Sequence, residues 1–341
     1  MGLREATTAV AIAVPFGLAL TAWTDTQEPD PEFRFMDPAI VESSGLVVLP
    51  DGRFVTVNDS GDDARVFTVD PATGRTVGVT RWEGGADDVE AVAPDGADSV
   101  WVGDIGDNGE ERTSIWAVRV PVGQGDQEVP GERVTFSYPD GPADAEALLT
   151  DPRDGRLVVV TKGLLGGTVH VAPDDTATGS SVVLEPRGDV LPLVTDGAFF
   201  PDGRHIVLRN YGRAIVYTWP ELEEAGKFDI PPQEQGEGIA VDADNRVYVS
   251  SEGIRAPVLE VTLDAPLATI VAGESTASPE AEPSEPSDEP TLRSREGEEL
   301  PEDEDAGRRD PTMWLVGGGL LVVVLVVLLR ALRPTQKDPP R

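Results

Sequence analysis

The 341-residue chain has no cysteine, two histidines and three lysines. Without cysteine there is no disulfide framework, no thiolate metal centre and no catalytic thiol. His170 and His205 leave little room for a His-based dyad or a zinc hydrolase. Positive charge is scarce: 27 Lys and Arg face 62 Asp and Glu, for a formal net charge of −35. That excludes nucleic acid as a partner, because a binder must replace condensed counterions with Lys and Arg. G-x-S-x-G, HExxH and the P-loop are all missing, so nucleophile elbow, zinc-peptidase helix and phosphate cradle are excluded too.

What is present points to β-structure. The 36 glycines and 30 prolines suit a turn-rich all-β protein or a disordered stretch, and both apply. Residues 273–311 carry net −10 and 312–341 net +3, which leaves −28 for residues 23–272. A domain so acidic resists aggregation or collects cations. The Arg-over-Lys bias, 24 to 3, reads as a high-GC bacterial source.

Both ends read as membrane-directed. Residues 6–22, ATTAVAIAVPFGLALTA, follow Arg4 and end in a small-residue site, predicting a signal peptide over 1–22; an uncleaved anchor is the alternative. Residues 313–329 carry no charge, and 312–332 reach the ~20 residues that cross a bilayer. Arg330, Arg333, Lys337 and Arg341 follow, so 333–341 is expected as a short basic cytoplasmic tail. The prediction is a single-pass type I protein of the cell membrane, propeller outside. LPEDE at 300–304 is similar to a sortase signal but has Asp and Glu where Thr and Gly belong. Residues 273–311, rich in Glu, Pro and Ser, are expected to form an extended disordered stalk.

Between these ends the sequence repeats. Copies start at 44, 90, 146, 196 and 237, each with an acid or Ser, an apolar strand, a D-G-R-like turn and a second apolar strand. Turn chemistry and alternation make each a β-hairpin. Two further strand candidates follow each of the first four: 66–69 and 76–82, 115–120 and 133–138, 168–171 and 181–185, 214–219 and 227–230. The fifth has only 257–263, and residues 33–36 can supply its missing strand. Four strands per repeat, with the last sheet closed by the first segment, describe an all-β propeller of five four-stranded blades over 23–272. A sixth blade within 164–195 is the alternative.

In such a fold the loop into each first strand and the loop out of each second strand share one face. This pools Glu42 or Ser44, Glu90, Glu146, Asp196 and Glu237 with Asn58, Asp59, Asp104, Lys162, Arg209, Asn210 and Glu252. Two carboxylates ~8 Å apart repel by about 2 kcal/mol at an effective dielectric constant of ~20. The cluster must therefore protonate, pair with Lys162 and Arg209, or hold a hard cation. Calcium suits Asp, Glu and Asn oxygens best. Asn58, Glu90, Asp104, Asp196, Asn210 and Glu237 are the candidate metal ligands. Glu42, Asp59, Glu146, Lys162, Arg209 and Glu252 are the candidate ligand-binding residues. The competing structural reading has the acids cap turns and join blades. His170, His205 and the strand tryptophans read as packing residues.

The strings ESSGL (42–46), VNDSGD (57–62), VEAVA (89–93), VGDIGDN (102–108), DAEALL (144–149) and VVVTK (158–162) resemble a widespread bacterial family of exported propellers of unassigned activity. The resemblance covers residues 40–255 and implies the propeller. More distantly, acids and Asn at a channel mouth are similar to gluconolactonase- and paraoxonase-type propellers, which hold calcium in the channel and hydrolyse lactones or esters. That likeness implies Glu90, Glu237, Asn58, Asn210 and Asp104 as calcium ligands. Two functions follow as expectations. One is a membrane-anchored extracellular propeller binding a ligand, cation or protein partner at its acidic mouth. The alternative is a calcium-dependent hydrolase of lactones, esters or phosphoesters, with Glu146 as base.

Overall fold

The computed structural model describes residues 30–273 except 60, 108 and 110. The expected signal peptide, stalk, membrane helix and tail lie outside the described residues. Among the described residues, no helix is long and apolar enough to cross a membrane.

The chain enters through β1 (Phe33–Arg34) and then builds blade 1 from β2 (Ser43–Val48), β3 (Phe54–Asn58), β4 (Arg65–Asp70) and β5 (Arg75–Trp82). Blade 2 is β6 (Val89–Pro94), β7 (Ser99–Asp104), β8 (Ile115–Pro121) and, after the short β9 (Gln127–Val129), β10 (Glu132–Ser137). Blade 3 is β11 (Ala145–Thr150), β12 (Leu157–Thr161), β13 (Gly167–Val171) and, after β14 (Ser181–Val183), β15 (Glu185–Val190). Blade 4 is β16 (Asp196–Phe199), β17 (His205–Arg209), β18 (Arg213–Thr218) and β19 (Glu224–Asp229). Blade 5 is β20 (Gly236–Val241), β21 (Val247–Ser251) and β22 (Pro257–Val261), completed by β1, which pairs antiparallel with β22. The molecule is a five-bladed propeller closed by its N-terminal strand, and no sixth blade lies in 164–195.

The hairpins form where the turn chemistry says. In blades 1, 3 and 4, Gly52, Gly155 and Gly203 take φ of 85°, 78° and 63°. The preceding Asp accepts from the amide two residues on: Asp51 from Arg53, Asp154 from Arg156 and Asp202 from Arg204, at 3.1, 3.1 and 2.9 Å. Glycine takes the left-handed step while aspartate satisfies the turn amide, so D-G-R fixes the register of each hairpin.

The outer strands differ from expectation. Residues 181–183 leave blade 3 and pair parallel with β10 of blade 2, so the outer strand of blade 3 is β15 instead. Likewise β9 leaves blade 2 and pairs parallel with β5 of blade 1. β15 reads EPRGDV, and only its last residue is buried. An exposed edge strand bearing Pro and charges has no apolar alternation to announce it, and those same residues blunt the edge. A seven-residue helix, α1 (Ala265–Val271), is also new, being too short for periodicity to reveal. Asp264 caps it by accepting from the Leu267 amide at 2.9 Å.

The core lies between blades. Five apolar clusters occupy the five blade-to-blade interfaces. The interface that closes the ring joins Phe33 and Phe35 to Leu46, Phe54 and Tyr248. Phe35 is fully buried, and the Phe33 ring meets Phe35 and Phe54 edge-on at 5.5 and 4.9 Å. Closure thus rests on aromatic burial more than on the two-residue pairing of β1.

Candidate functional site

The innermost strands β2, β6, β11, β16 and β20 line the channel. Four of them carry a register shift at their first turn. The shifts fall between Ser43 and Leu46, Val89 and Ala91, Ala145 and Ala147, and Gly236 and Ile239. The skipped residues include Ser44, Glu90, Glu146 and Glu237. A bulge frees a residue from the ladder and re-aims its side chain, which turns these groups toward the mouth. β16 pairs regularly from Asp196 onward.

Several of the expected residues are engaged within the protein. Asn58 accepts from the Val41 and Glu42 amides at 3.1 and 3.2 Å and donates to the Ala39 carbonyl and Asp62, both at 2.8 Å. Asp104 accepts from the Asp87 and Asp88 amides and pairs with Arg112 at 2.7 Å. Asp196, fully buried, accepts from Gly197 and from Ile239 of the next blade, each at 2.8 Å. Burial holds its carboxyl well above the usual range. Arg209, also fully buried, donates to the Gly238 and Ser250 carbonyls at 3.0 and 3.3 Å and to Gln233 at 3.1 Å. Burial lowers its guanidinium to about 10, opposed by Glu237 and Asp196. Asn210 caps its own turn through the Gly212 and Arg213 amides. These five fasten blades and loops, and so does the Ser44 hydroxyl, which donates to the Glu90 carbonyl at 2.6 Å.

The others face one another. Glu90, Glu146 and Glu237 are 3%, 3% and 4% exposed, too buried for water to disperse their charge. Glu146 accepts from Lys162 Nζ at 2.6 Å, and Lys162 lies over the Tyr211 ring at 5.8 Å. Burial still raises Glu146 to about 8 against the pull of Lys162; at Lys162 burial works to lower the ammonium, and Glu146 together with Tyr211 raises it overall. Oε2 of Glu237 is buried with no hydrogen-bond partner. Burial raises this carboxyl to about 7, Lys162 and Arg209 acting against it and Glu252 and Asp59 with it. Glu252 is half-buried and accepts from Gln235 at 2.6 Å; burial and then Asp59 raise it. Glu42 is exposed, and its carbonyl accepts from the Asp59 amide at 2.9 Å.

One further acid belongs here. Asp59, Asp88 and Glu90 each place an oxygen so that all three lie within 4.8 Å of one another. Burial raises Asp88 to about 6, with Asp59 adding to it. Burial, Glu146 and Asp59 push Glu90 strongly upward. Asp88 stands two residues before Glu90, and Asp144 stands in the same relation to Glu146. That D-x-E spacing was the available signal for Asp88, which lay two positions outside the repeat as aligned. The two histidines are packing residues: His170 is buried against the Tyr138 ring at 4.9 Å, and His205 pairs with Asp202 at 2.7 Å.

The mouth face also carries apolar side chains. Leu164 and Leu165 in the β12–β13 loop are 76% and 98% exposed, Tyr211 in the β17–β18 loop 42%, and Ile254 in the β21–β22 loop 69%. These are the loops that leave the second strands of three successive blades, so all four residues belong to the mouth face.

No family model matches the chain, and no curated protein matches it in sequence. Among solved structures, the chain is similar to the PQQ-bound aldose sugar dehydrogenase of Streptomyces coelicolor, with a TM-score of 0.39 and 14% identity over 67% of this chain and 96% of that one. It is also similar to the Dos1 propeller, with a TM-score of 0.36 and 13% identity over 65% of this chain and 59% of the other.

Proposed function

We propose that this chain is an exported propeller, tethered to the cell membrane through 312–332 and spaced from it by 273–311, that binds a partner at its channel mouth without converting it. The partner is a protein segment presenting a basic side chain flanked by apolar ones. The observation that supports this is the set of exposed apolar residues, Leu164, Leu165, Tyr211 and Ile254, on the mouth-face loops of three successive blades. Large apolar groups collected on one face mark a surface that a partner covers. A basic group entering beside them would give the Glu237 carboxyl the donor it lacks. We place this reading ahead of a calcium-dependent hydrolase because Glu146, the prospective base, is tied to Lys162 at 2.6 Å.

Cross-linking capture from cell-envelope extract tests it, with the intact chain, Leu164→Ser/Leu165→Ser and Glu237→Gln run side by side. The expected result is one partner captured by the natural chain and lost from both variants at unchanged thermal stability of the Leu→Ser pair. A partner retained by both variants moves the binding face elsewhere and refutes the proposal.

A further inference from the structure

The face opposite the mouth holds a cavity of different chemistry. The Asp-Gly-Arg turns lie on this face, at the far ends of the hairpins from the mouth loops. Between blades 2 and 3 the regular pattern is broken there: after β13 the chain crosses to blade 2 and adds β14 beside β10. The crossing segment helps to enclose a cavity of about 90 Å³. Trp101 of β7, Val134 of β10 and Leu157 of β12 line its apolar side, and Asp154, Arg156 and Asp174 its polar rim. We propose that this cavity binds one ring of a neutral sugar.

Three features carry the proposal. The first is size: at roughly 15 Å³ for each water, the cavity has room for about six, the space of a six-membered ring with its hydroxyls. The second is a frame already formed. The Thr176 hydroxyl and amide both donate to the Pro173 carbonyl, at 2.7 and 3.1 Å, and those of Ser180 to the Ala177 carbonyl, at 2.6 and 3.0 Å. The Gly179 amide donates to the Arg133 carbonyl of β10 at 2.6 Å. Two turns in series thus pin the crossing loop to blade 2, and a ligand need not assemble its own site.

The third is the pairing of rim and floor. Arg156 Nε donates to Asp154 Oδ2 at 2.8 Å, and its Nη1 lies 3.0 Å from Asp174 Oδ1. These contacts fix the guanidinium between two carboxylates and leave Nη2 and Asp174 Oδ2 as a donor and an acceptor on one ion pair. Trp101 and Leu157 are buried beside them. A hydroxyl both donates and accepts, so the neighbouring hydroxyls of a sugar match this rim, while its C–H surface covers the apolar side. An anion would meet Asp154 and Asp174, and a cation would meet Arg156.

The test is isothermal titration and tryptophan fluorescence of the full chain with glucose, galactose, mannose, N-acetylglucosamine and their soluble oligomers, with choline and inorganic phosphate as charged controls. The expected result is saturable binding of at least one sugar and of neither control. Arg156→Ala and Thr178→Phe, the latter obstructing the cavity from an exposed position, are each expected to weaken it at least about tenfold at unchanged Tm. Trp101→Phe is expected to remove the fluorescence change. Leu164→Ser/Leu165→Ser is expected to bind as the natural chain does, which separates this site from the mouth. Equal affinity for the free sugar and its oligomers upholds the site with a free sugar as ligand; higher affinity for oligomers upholds it with a polysaccharide as the source. No binding by any sugar, or binding that survives both Arg156→Ala and Thr178→Phe, overturns the site. Equal binding of choline or phosphate overturns the assignment to a neutral sugar.

Discussion

Glu237 turns the electrostatics of the mouth into a stability measurement. It is 4% exposed, its Oε2 has no hydrogen-bond partner, and burial raises the carboxyl from 4.5 to about 7. The folded state therefore binds this proton more tightly than the unfolded chain does. The associated stability is complete below the unfolded value and is lost as pH rises through about 7. At 1.36 kcal/mol per unit, the shift corresponds to about 3 kcal/mol between pH 4 and pH 8. Glu237→Gln imitates the protonated form at every pH. Urea unfolding of both chains at pH 5 and pH 8 isolates the effect, because the other carboxyls that titrate in this range cancel in the difference. The variant is expected to match the natural chain at pH 5 and to exceed it at pH 8 by about 2–3 kcal/mol, or roughly 5–10 °C in Tm. A variant less stable than the natural chain at pH 8, or one with the same difference at both pH values, would show that Glu237 is ionised and well paired. The reasoning would then be refuted. The same titration predicts that binding of a basic partner weakens as pH falls from 8 to 5.

Arg209→Met leaves the Gly238 and Ser250 carbonyls and Gln233 without their donor in a fully buried place, and should cost about 3–5 kcal/mol in urea unfolding. Phe35→Ala empties the closing interface and should cost about 3–5 kcal/mol, with amide exchange rising first in β1 and β22. Gly106→Ala displaces two carboxyl ends and no backbone, so it should alter stability by only about 1 kcal/mol in urea unfolding.

How far these features could be read in advance varied with where they sit. The inner hairpins were plain because both faces are buried and three of the five turns carry Asp-Gly-Arg: β12 reads LVVVT with all five residues buried. The closing strand was found by counting, since four complete repeats and one short by a strand leave only residues 33–36 to finish the ring. The outer strands were the weak point. β9 and β14 are three residues each, and they pair parallel with the neighbouring blade. A parallel partner contributed from a long loop leaves no hairpin turn to mark it, so nothing local distinguishes Ser181–Val183 from an outer strand of its own blade.

The mouth was legible in position but not in division of labour. The repeat places Glu90, Glu146, Asp196 and Glu237 at equivalent points, yet Asp196 accepts from two backbone amides and fastens blade 4 to blade 5, whereas Oε2 of Glu237 is buried with no hydrogen-bond partner. The difference lies in the bulge. β16 pairs from Asp196 itself, so the carboxyl stays beside the ladder, where the amides of Gly197 and Ile239 reach it. In β6 and β20 the ladder skips the acid, which leaves the backbone free to pair and the side chain free to leave it. A one-residue irregularity in pairing is invisible to periodicity, because the apolar alternation of the strand resumes just beyond it. Aspartate is a carbon shorter than glutamate and stays close to its own backbone, so Asp in blade 4 against Glu in blades 2, 3 and 5 was the one trace of this division in the sequence. By that logic, moving Asp196 to Glu should cost stability by pushing the carboxyl past the two amides, a loss that urea unfolding would read.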